Sequence, residues 1–198
     1  MPGQLLIFEG PDGTGKTTLS HRLVEWLTSR GRRACRVSSP GQSKGSLGEL
    51  VYNLHHYPER YGLHGIDPTA QQLLHVAAHI DSLHNTIIPA LESGEIVVMD
   101  RFWWSTVAYG KAAEVDSDSL RLMIDLELHH WSNHRPTAVF LLERAVPAGI
   151  EHSPGIHNLL GRAYADLEEA QKGEYPIYRI STSRSIEESF SEILSRVI

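Results

Sequence analysis

The stretch Gly10-Pro11-Asp12-Gly13-Thr14-Gly15-Lys16-Thr17 decides the fold, because it matches a glycine-rich loop that cradles phosphate groups. The apolar run Leu5–Phe8 precedes it, and the helix-patterned stretch Leu19–Arg30 follows it. A strand that leads through such a loop into a helix presents backbone N–H groups and the positive helix end to a polyphosphate. The pattern therefore predicts a nucleoside triphosphate site. The flanking strand and helix disfavour the alternative, a glycine-rich turn without a ligand.

Separate residues of this loop have separate predicted roles. Lys16 reaches the outer phosphates as a point charge, and the Thr17 hydroxyl can ligate Mg²⁺. ATP and Mg²⁺ are therefore the predicted cofactors. The residues predicted to bind the cofactor are Gly10, Gly13, Thr14, Gly15, Lys16, Thr17 and Thr18.

Length and composition limit the classes of protein that this chain can be. A chain of 198 residues with 41% hydrophobic and 21% charged residues is typical of one globular domain, predicted here over residues 1–198. The net charge of −6 argues against nucleic acid or an anionic membrane as the main partner. Cys35 has no second cysteine to pair with, and no signal peptide or transmembrane run is recognised, so we expect a cytoplasmic protein.

Apolar runs alternate with helix-patterned stretches along the chain, which predicts a three-layer α/β fold with a parallel sheet and ligands at the carboxyl ends of its strands. After the first strand, further strands are predicted at Cys35–Ser38, Ile96–Met99, Ala138–Leu142 and Ile177–Ile180. Helices are predicted at Ser46–Leu54, at Asp67–Ser93 with a bend or break near Pro89, at Ser117–Trp131, at Asn158–Gln171 and from Ser185 onward. A short lid is predicted around residues 145–157.

Asp100 and Arg101 follow directly on the apolar run Ile96–Met99. A carboxylate at the end of a buried strand can meet Mg²⁺ directly or through water, so Thr17 and Asp100 are the predicted metal ligands. The planar fork of Arg101 suits a second phosphate, that of an acceptor. A structural Asp–Arg pair at the strand end is the alternative. The basic run that follows the first helix is predicted to be a solvated helix end and comprises Arg30, Arg32, Arg33 and Arg36.

In their order and spacing, these segments resemble thymidylate kinase. The resemblance rests on Phe8–Thr18 and on Asp100-Arg101-Phe102 followed by Ser105–Tyr109. It spans nearly the whole chain, through Pro40-Gly41, Leu47-Gly48-Glu49, Ile88–Leu91 and Tyr164. It implies a five-stranded P-loop kinase fold, often dimeric, that moves the ATP γ-phosphoryl group onto a nucleoside monophosphate. It also implies that Asp12 lies near the acceptor sugar and phosphate, and that Arg101 binds this phosphate.

Departures from the family pattern concern the acceptor base. The family places a phenylalanine and an arginine of the long helix against thymine, and this chain has His75 and His79 there. The loop that often reads Arg-Glu-Pro-Gly is Ser38-Ser39-Pro40-Gly41 here, with Lys44 as the nearby cation. We therefore expect base recognition that is altered from thymine. The predicted substrate-binding residues are Asp12, Ser39, Lys44, His75, His79, Arg101, Trp104 and Tyr109, with packing on the sheet as the alternative for Trp104.

A further departure concerns the donor side, where the family places a catalytic arginine in the phosphate loop or in the lid. This chain has Gly13 in the loop and no arginine between Ala145 and Gly161, so Arg144 and Arg162 are the substitutes on offer. The predicted catalytic residues are Lys16, Asp12, Arg101 and Arg144.

The leading hypothesis is an ATP-dependent nucleoside monophosphate kinase similar to thymidylate kinase. One alternative keeps the donor site and phosphorylates a hydroxyl of a nucleoside, modified base or other small metabolite, although Arg101 argues for a phosphorylated acceptor. The other alternative is a nucleotide-binding module with little kinase activity, which the lid without arginine motivates. The expected partners are nucleotide substrates and, by resemblance, a second copy of the chain.

Overall fold

The strands form one parallel sheet, whose carboxyl edge carries the phosphate loop. The structure is a computed structural model that describes residues 3–145 and 154–197. Its strands are β1 Gln4–Glu9, β2 Ala34–Ser38, β3 Ile96–Asp100, β4 Ala138–Glu143 and β5 Ile177–Ser181, in the spatial order β2-β3-β1-β4-β5. Every neighbouring pair is parallel. The predicted α/β fold with a five-stranded parallel sheet flanked by helices is confirmed.

Helices cover both faces of this sheet. They are α1 Lys16–Ser29, α2 Leu47–His56, α3 Pro68–Ser82, α4 Ile88–Glu92, α5 Trp103–Ala112, α6 Ser117–Trp131, α7 Pro154–Ala170 and α8 Ile186–Val197. A 3₁₀ turn, Pro58–Tyr61, follows α2, and a π-helical turn, Leu83–Ile87, separates α3 from α4. Within residues 3–145 and 154–197, no helix is both long and apolar enough to cross a bilayer.

The central strand β1 is apolar on both sides because helices pack on both sides. Leu5 and Ile7 join the core that includes α5 and α7, whereas Leu6 and Phe8 join the core that includes α1 and α8. These four side chains are at most 2% exposed, and burying each of them stabilises the fold by about 1.5–3 kcal/mol. The sheet is therefore a firm base for the loops at its carboxyl edge.

Three predicted helix starts, at Ser46, Asp67 and Ser185, carry a side chain that caps the helix. Ser46 Oγ accepts from the Glu49 N–H at 3.1 Å, and Ser185 Oγ accepts from the Glu188 N–H at 3.2 Å. Asp67 Oδ1 accepts from amides in the first turn of α3. Each contact satisfies an N–H group that the helix itself leaves without a partner, which explains why such local signals predict helix starts.

The predicted helix Asp67–Ser93 is interrupted, as expected near Pro89, but the break begins earlier than the proline. Helix α3 ends at Ser82, the π-helical turn occupies Leu83–Ile87, and Pro89 lies in the first turn of α4. A proline ring clashes with the carbonyl four residues before it, so the wider turn falls on the residues that precede Pro89.

Helix α5 is an element that the sequence pattern does not predict. It is buried on nearly all sides, so its apolar residues form no stripe at helical spacing. Helix α7 begins at Pro154, earlier than the predicted start at Asn158, and so includes the end of the predicted lid. Residues 146–153 of that lid lie outside the described residues.

Candidate active site

The phosphate loop joins β1 to α1 through glycines that no other residue could replace without strain. Gly15 caps α1 with φ of 90°, in the left-handed region. A Cβ atom on Gly10 would lie 2.3 Å from the carbonyl oxygen of Leu142 in β4. The loop is therefore packed against the neighbouring strand, and the N-terminus of α1 opens directly above it.

Lys16 is buried inside this loop. Its ammonium donates to the Gly10 carbonyl at 2.8 Å and to the Pro11 carbonyl at 2.6 Å. Burial, and then the charge of Arg101, lower the pKa of Lys16 to about 8, which leaves the ammonium mostly protonated at pH 7. The Thr14 hydroxyl donates to the same Pro11 carbonyl at 2.8 Å. Because its carbonyls bind the Lys16 ammonium, the loop holds a cation at its centre.

The two predicted metal ligands lie together. The Thr17 hydroxyl donates to Asp100 Oδ2 at 2.8 Å, across the gap between α1 and β3. A hydroxyl that donates its proton keeps its lone pairs for a metal, and carboxylate and hydroxyl oxygens are the ligands that Mg²⁺ prefers. Both residues therefore fit a magnesium ion. No group of three or more His, Cys, Asp or Glu side chains converges within residues 3–145 and 154–197, so phosphates and water would complete the coordination.

Arg36 is a residue of this site that the sequence pattern assigned wrongly. It was predicted in a solvated helix end, but it lies in β2 with its side chain 17% exposed. Its guanidinium donates to Asp100 Oδ2 at 2.5 Å and to Ser20 Oγ of α1 at 2.9 Å. Arg36 also lies in the predicted strand Cys35–Ser38, two residues before its carboxyl end, and a cation at that position is the signal that could have found it.

Arg101 is held rigidly on the opposite side of the loop. It ion-pairs with Asp12 and donates to Ser105 Oγ at 3.1 Å and to the Tyr109 hydroxyl at 3.2 Å. Its guanidinium carbon also lies 4.9 Å from the centre of the Tyr109 ring. The backbone of Arg101 has φ of 75°, a conformation that costs a non-glycine residue about 1–3 kcal/mol and that clusters at functional sites. The structure thus brings Asp12, Arg101 and Tyr109 together.

Glu9, at the end of β1, is a fully buried carboxylate that sequence reasoning gave no role. It accepts from the N–H groups of Phe102 at 2.7 Å and Ser105 at 3.1 Å, and from the Tyr164 hydroxyl at 3.1 Å. Burial raises the pKa of Glu9, while Arg101 and the hydrogen bonds act to lower it. Glu9 therefore caps α5 and fixes the segment that carries Arg101 and Ser105.

His75 lies beside a second histidine that was not predicted. His75 Nε2 and His55 Nδ1, on α3 and α2, are 3.0 Å apart and share a hydrogen bond. Burial lowers the pKa of His55; Asp12 acts to raise it and Arg101 to lower it, which places the pair within electrostatic reach of these two charges. Spacing alone could not have found His55, because it lies in another helix.

His79 is turned away from the site predicted for it. It is 3% exposed, and its Nδ1 bonds to Glu127 Oε2 at 2.9 Å. The other carboxylate oxygen of Glu127 accepts from the Thr106 hydroxyl at 2.7 Å. The prediction that His79 contacts the base is therefore wrong for this conformation, because a buried carboxylate of α6 binds its imidazole.

Trp104 and the loop after β2 differ from prediction in part. Trp104 has no exposed surface and donates from Nε1 to the Tyr175 hydroxyl at 3.1 Å, so the packing alternative describes it and substrate contact does not. The Ser39 N–H donates to the Asp100 carbonyl at 3.0 Å, which puts Ser39 at the site's edge. Its buried hydroxyl has no partner among the described residues. Lys44 is exposed.

The two substitute arginines are both exposed. Arg144 follows β4 directly, and Arg162 lies on α7. Among residues 3–145 and 154–197, neither makes an ion pair. Their contact with a nucleotide stays a prediction.

Comparison with known proteins gives a consistent result. The family model described as thymidylate kinase matches residues 8–193. A thymidylate kinase from Bifidobacterium longum strain DJO10A is 30% identical over 209 aligned residues, which cover 100% of this chain and 98% of that protein. One from Bifidobacterium longum subsp. infantis is 31% identical, with 98% and 85% covered. The crystal structure of thymidylate kinase from Ehrlichia chaffeensis has the same fold, with a TM-score of 0.79 at 22% identity and both chains fully covered.

The His79–Glu127 pair makes stability depend on pH. Burial acts to lower the pKa of His79, but the Glu127 carboxylate outweighs it and the pKa is raised above its ordinary value of 6.5. This contribution is complete below pH 6.5 and is lost as pH rises through the folded-state pKa. We expect His79→Leu to lower the free energy of unfolding by about 3–5 kcal/mol at pH 6 and by less at pH 9, in urea titrations.

The matched control for this measurement is His21→Leu, because His21 is exposed on α1. It should change the free energy of unfolding little at either pH. An equal loss at pH 6 and pH 9 in the His79 variant would show that the pair is not charged.

Proposed function

Since the chain belongs to the thymidylate kinase family, we propose that it transfers the γ-phosphoryl group of magnesium-bound ATP to a (deoxy)nucleoside monophosphate, with base recognition altered from thymine. Membership of the family makes the chain a phosphotransferase of the nucleoside monophosphate kinase class. The roles of the individual residues rest on their contacts and are part of the proposal.

The observation that carries the proposal is that one loop holds two cations. The carbonyls of Gly10 and Pro11 bind the Lys16 ammonium, and the carboxylate of Asp12 binds the Arg101 guanidinium. The cations are near enough that Arg101 lowers the pKa of Lys16. Two like charges held this close favour anions between them, and a donor and an acceptor phosphate are two such anions.

On the donor side, the chain positions the polyphosphate and stabilises the charge that develops on it. The loop amides and the N-terminus of α1 face the phosphates, and Lys16 exchanges its carbonyl partners for their oxygens. Thr17 and Asp100 would hold Mg²⁺, which when bound neutralises charge on the phosphates. The Arg36 guanidinium binds the Asp100 carboxylate and so competes with a metal ion for it.

On the acceptor side, Arg101 binds the phosphate that attacks. A phosphate competes well with a carboxylate for a guanidinium fork, so the acceptor takes Arg101 from Asp12. Asp12 then lies beside the acceptor as a hydrogen-bond acceptor for its sugar. Ser105 accepts from Nη1 of Arg101, and Tyr109 accepts from Nη2, the nitrogen that also pairs with Asp12, so the guanidinium keeps its orientation during this exchange.

The altered base recognition is supported by what replaces the two expected base contacts. His79 is committed to Glu127 in the interior, so it offers no group to a base edge. His75 is hydrogen-bonded to His55 and brings imidazole nitrogens where the family has a phenylalanine. A site built from such polar groups discriminates among bases differently from an apolar stacking surface.

For the protein partner we propose a second copy of this chain. Exposed leucines lie on α3 and on the outer face of α6, with Leu73 at 49%, Leu122 at 61% and Leu126 at 45% exposure. Leu122 and Leu126 are one helical turn apart, so they form one apolar strip.

The nucleotide-binding module with little kinase activity stays a second candidate, since Arg144 and Arg162 are exposed and Gly13 replaces an arginine in the loop. Release of ADP separates the candidates. Under the proposal, ADP is released with nucleoside monophosphates and not with nucleosides. Turnover of nucleosides alone would favour a hydroxyl acceptor, and tight ATP binding without any turnover would favour the binding module.

Replacement of Lys16 tests the donor site. We expect Lys16→Ala, and the longer Lys16→Met, to lower kcat by about 100-fold or more, because the cation facing the transferred group is lost. Circular dichroism and the melting temperature should show a folded protein. Lys172→Ala removes an exposed lysine of the surface and should leave kcat unchanged. An unchanged kcat in the Lys16 variants would remove the loop from the reaction.

Replacement of Arg101 tests the acceptor site. Arg101→Ala should raise the KM of the monophosphate by about tenfold or more and leave the KM of ATP nearly unchanged, because only the acceptor phosphate contacts the fork. Arg121→Ala, on the exposed face of α6, is the matched control and should change neither value. If the KM of ATP rose and that of the monophosphate did not, the assignment of the two phosphates would be reversed.

Replacement of Arg36 tests the metal site by a measurement that needs no turnover. Arg36→Met removes a positive charge 2.5 Å from Asp100, so we expect Mn²⁺, as a probe of the magnesium site, to bind about tenfold more tightly in paramagnetic resonance titrations with ATP present. Arg33→Met, at the exposed residue just before β2, is the control and should leave metal affinity unaltered. Equal affinity in the Arg36 variant and the parent would exclude Asp100 as a ligand.

A further inference from the structure

The hydrogen bond between His55 and His75 joins the last turn of α2 to α3. Nδ1 of His55 and Nε2 of His75 are 3.0 Å apart, and the rings meet edge to face with an interplanar angle of 82°. Each ring thus uses one nitrogen for the other ring. Nε2 of His55 and Nδ1 of His75 remain for other partners.

Both rings are neutral at pH 7. Burial, together with the neighbouring histidines His55 and His79, lowers the pKa of His75 to about 3. Partial burial and His56 lower the pKa of His55 as well. A neutral imidazole carries one N–H donor and one bare nitrogen acceptor, so each ring has two tautomers.

The shared hydrogen bond couples these tautomers. If His75 donates from Nε2, its Nδ1 is an acceptor and Nε2 of His55 is a donor. If His55 donates from Nδ1, its Nε2 is an acceptor and Nδ1 of His75 is a donor. In either state the two remaining nitrogens are one donor and one acceptor, and a concerted tautomer change exchanges them.

The bases of nucleotides present one of two opposite arrangements of hydrogen-bond donor and acceptor, called polarities here. Thymine, uracil and guanine present a carbonyl acceptor next to an N–H donor, whereas cytosine and adenine present an amino donor next to a bare nitrogen. A fixed arrangement of donors and acceptors suits one polarity and leaves groups unpaired with the other. A histidine pair that can exchange its donor and acceptor nitrogens suits both polarities.

We propose, on the basis of the proposed function, that the His55–His75 pair contacts the base of the acceptor monophosphate. By exchanging its donor and acceptor nitrogens, the pair accepts both keto and amino bases. The substrate class is then monophosphates of either polarity rather than thymidine monophosphate alone. Arg101 binds the phosphate of each of them in the same way, since it reads no base.

Steady-state kinetics with thymidine and deoxycytidine monophosphates test the consequence. We expect their kcat/KM values to lie within about tenfold of each other, whereas a site with fixed polarity separates such substrates by about 10⁴. His75→Ala, which removes the ring and offers no stacking surface in its place, should lower kcat/KM for both by about tenfold or more through KM. A separation above about 10³ in the parent, or unchanged values for both substrates in the variant, would overturn the proposal.

Nitrogen-15 resonance of the parent protein tests the inversion without any substitution. We expect Nδ1 of His75 to be protonated with one monophosphate and bare with the other. His84 and His130 form the internal control, because their rings share the same 3.0 Å bond on other elements and should not respond. A tautomer that stays constant while both substrates turn over would overturn base reading alone. No turnover of any monophosphate would overturn the proposed function with it.

Discussion

Oxygen atoms of three consecutive loop residues hold both cations of the site. The carbonyls of Gly10 and Pro11 bind Lys16, and the carboxylate of Asp12 binds Arg101. Because burial makes an unpaired cation costly, the loop conformation and the positions of the two charges depend on each other. The glycines that allow this conformation are therefore as much a part of the electrostatics as the charged side chains.

The buried carboxylate of Glu9 connects this loop to the rest of the molecule. It binds the start of α5 through Phe102 and Ser105 and reaches α7 through Tyr164. Ser105 in turn holds Arg101. The orientation of Arg101 thus follows from a buried hydrogen-bond network, which is more rigid than a contact at the surface.

Histidines occupy the part of the site where the family pattern has an apolar ring and an arginine. The two histidines have different partners. His79 bonds to Glu127 in the interior, whereas His75 bonds to His55 within electrostatic reach of Asp12 and Arg101. Under the proposed function, discrimination among bases depends on imidazole chemistry, whereas the phosphate chemistry is that of the family.

The phosphate loop, the alternation of strands and helices and the helix caps were predictable from the sequence, because each depends on residues a few positions apart. The sequence also predicted that Thr17 and Asp100 share a metal site, because Asp100 follows a buried strand and ligands bind at the carboxyl ends of such strands. The partners of His79 and Arg36 were not predictable, because those contacts depend on how α3 packs on α6 and how β2 lies beside β3. Helix α5 was missed because burial on all sides removes its periodicity. Local spacing determines which groups reach the carboxyl edge, and only the packing of distant elements decides which of them stay free to meet a substrate.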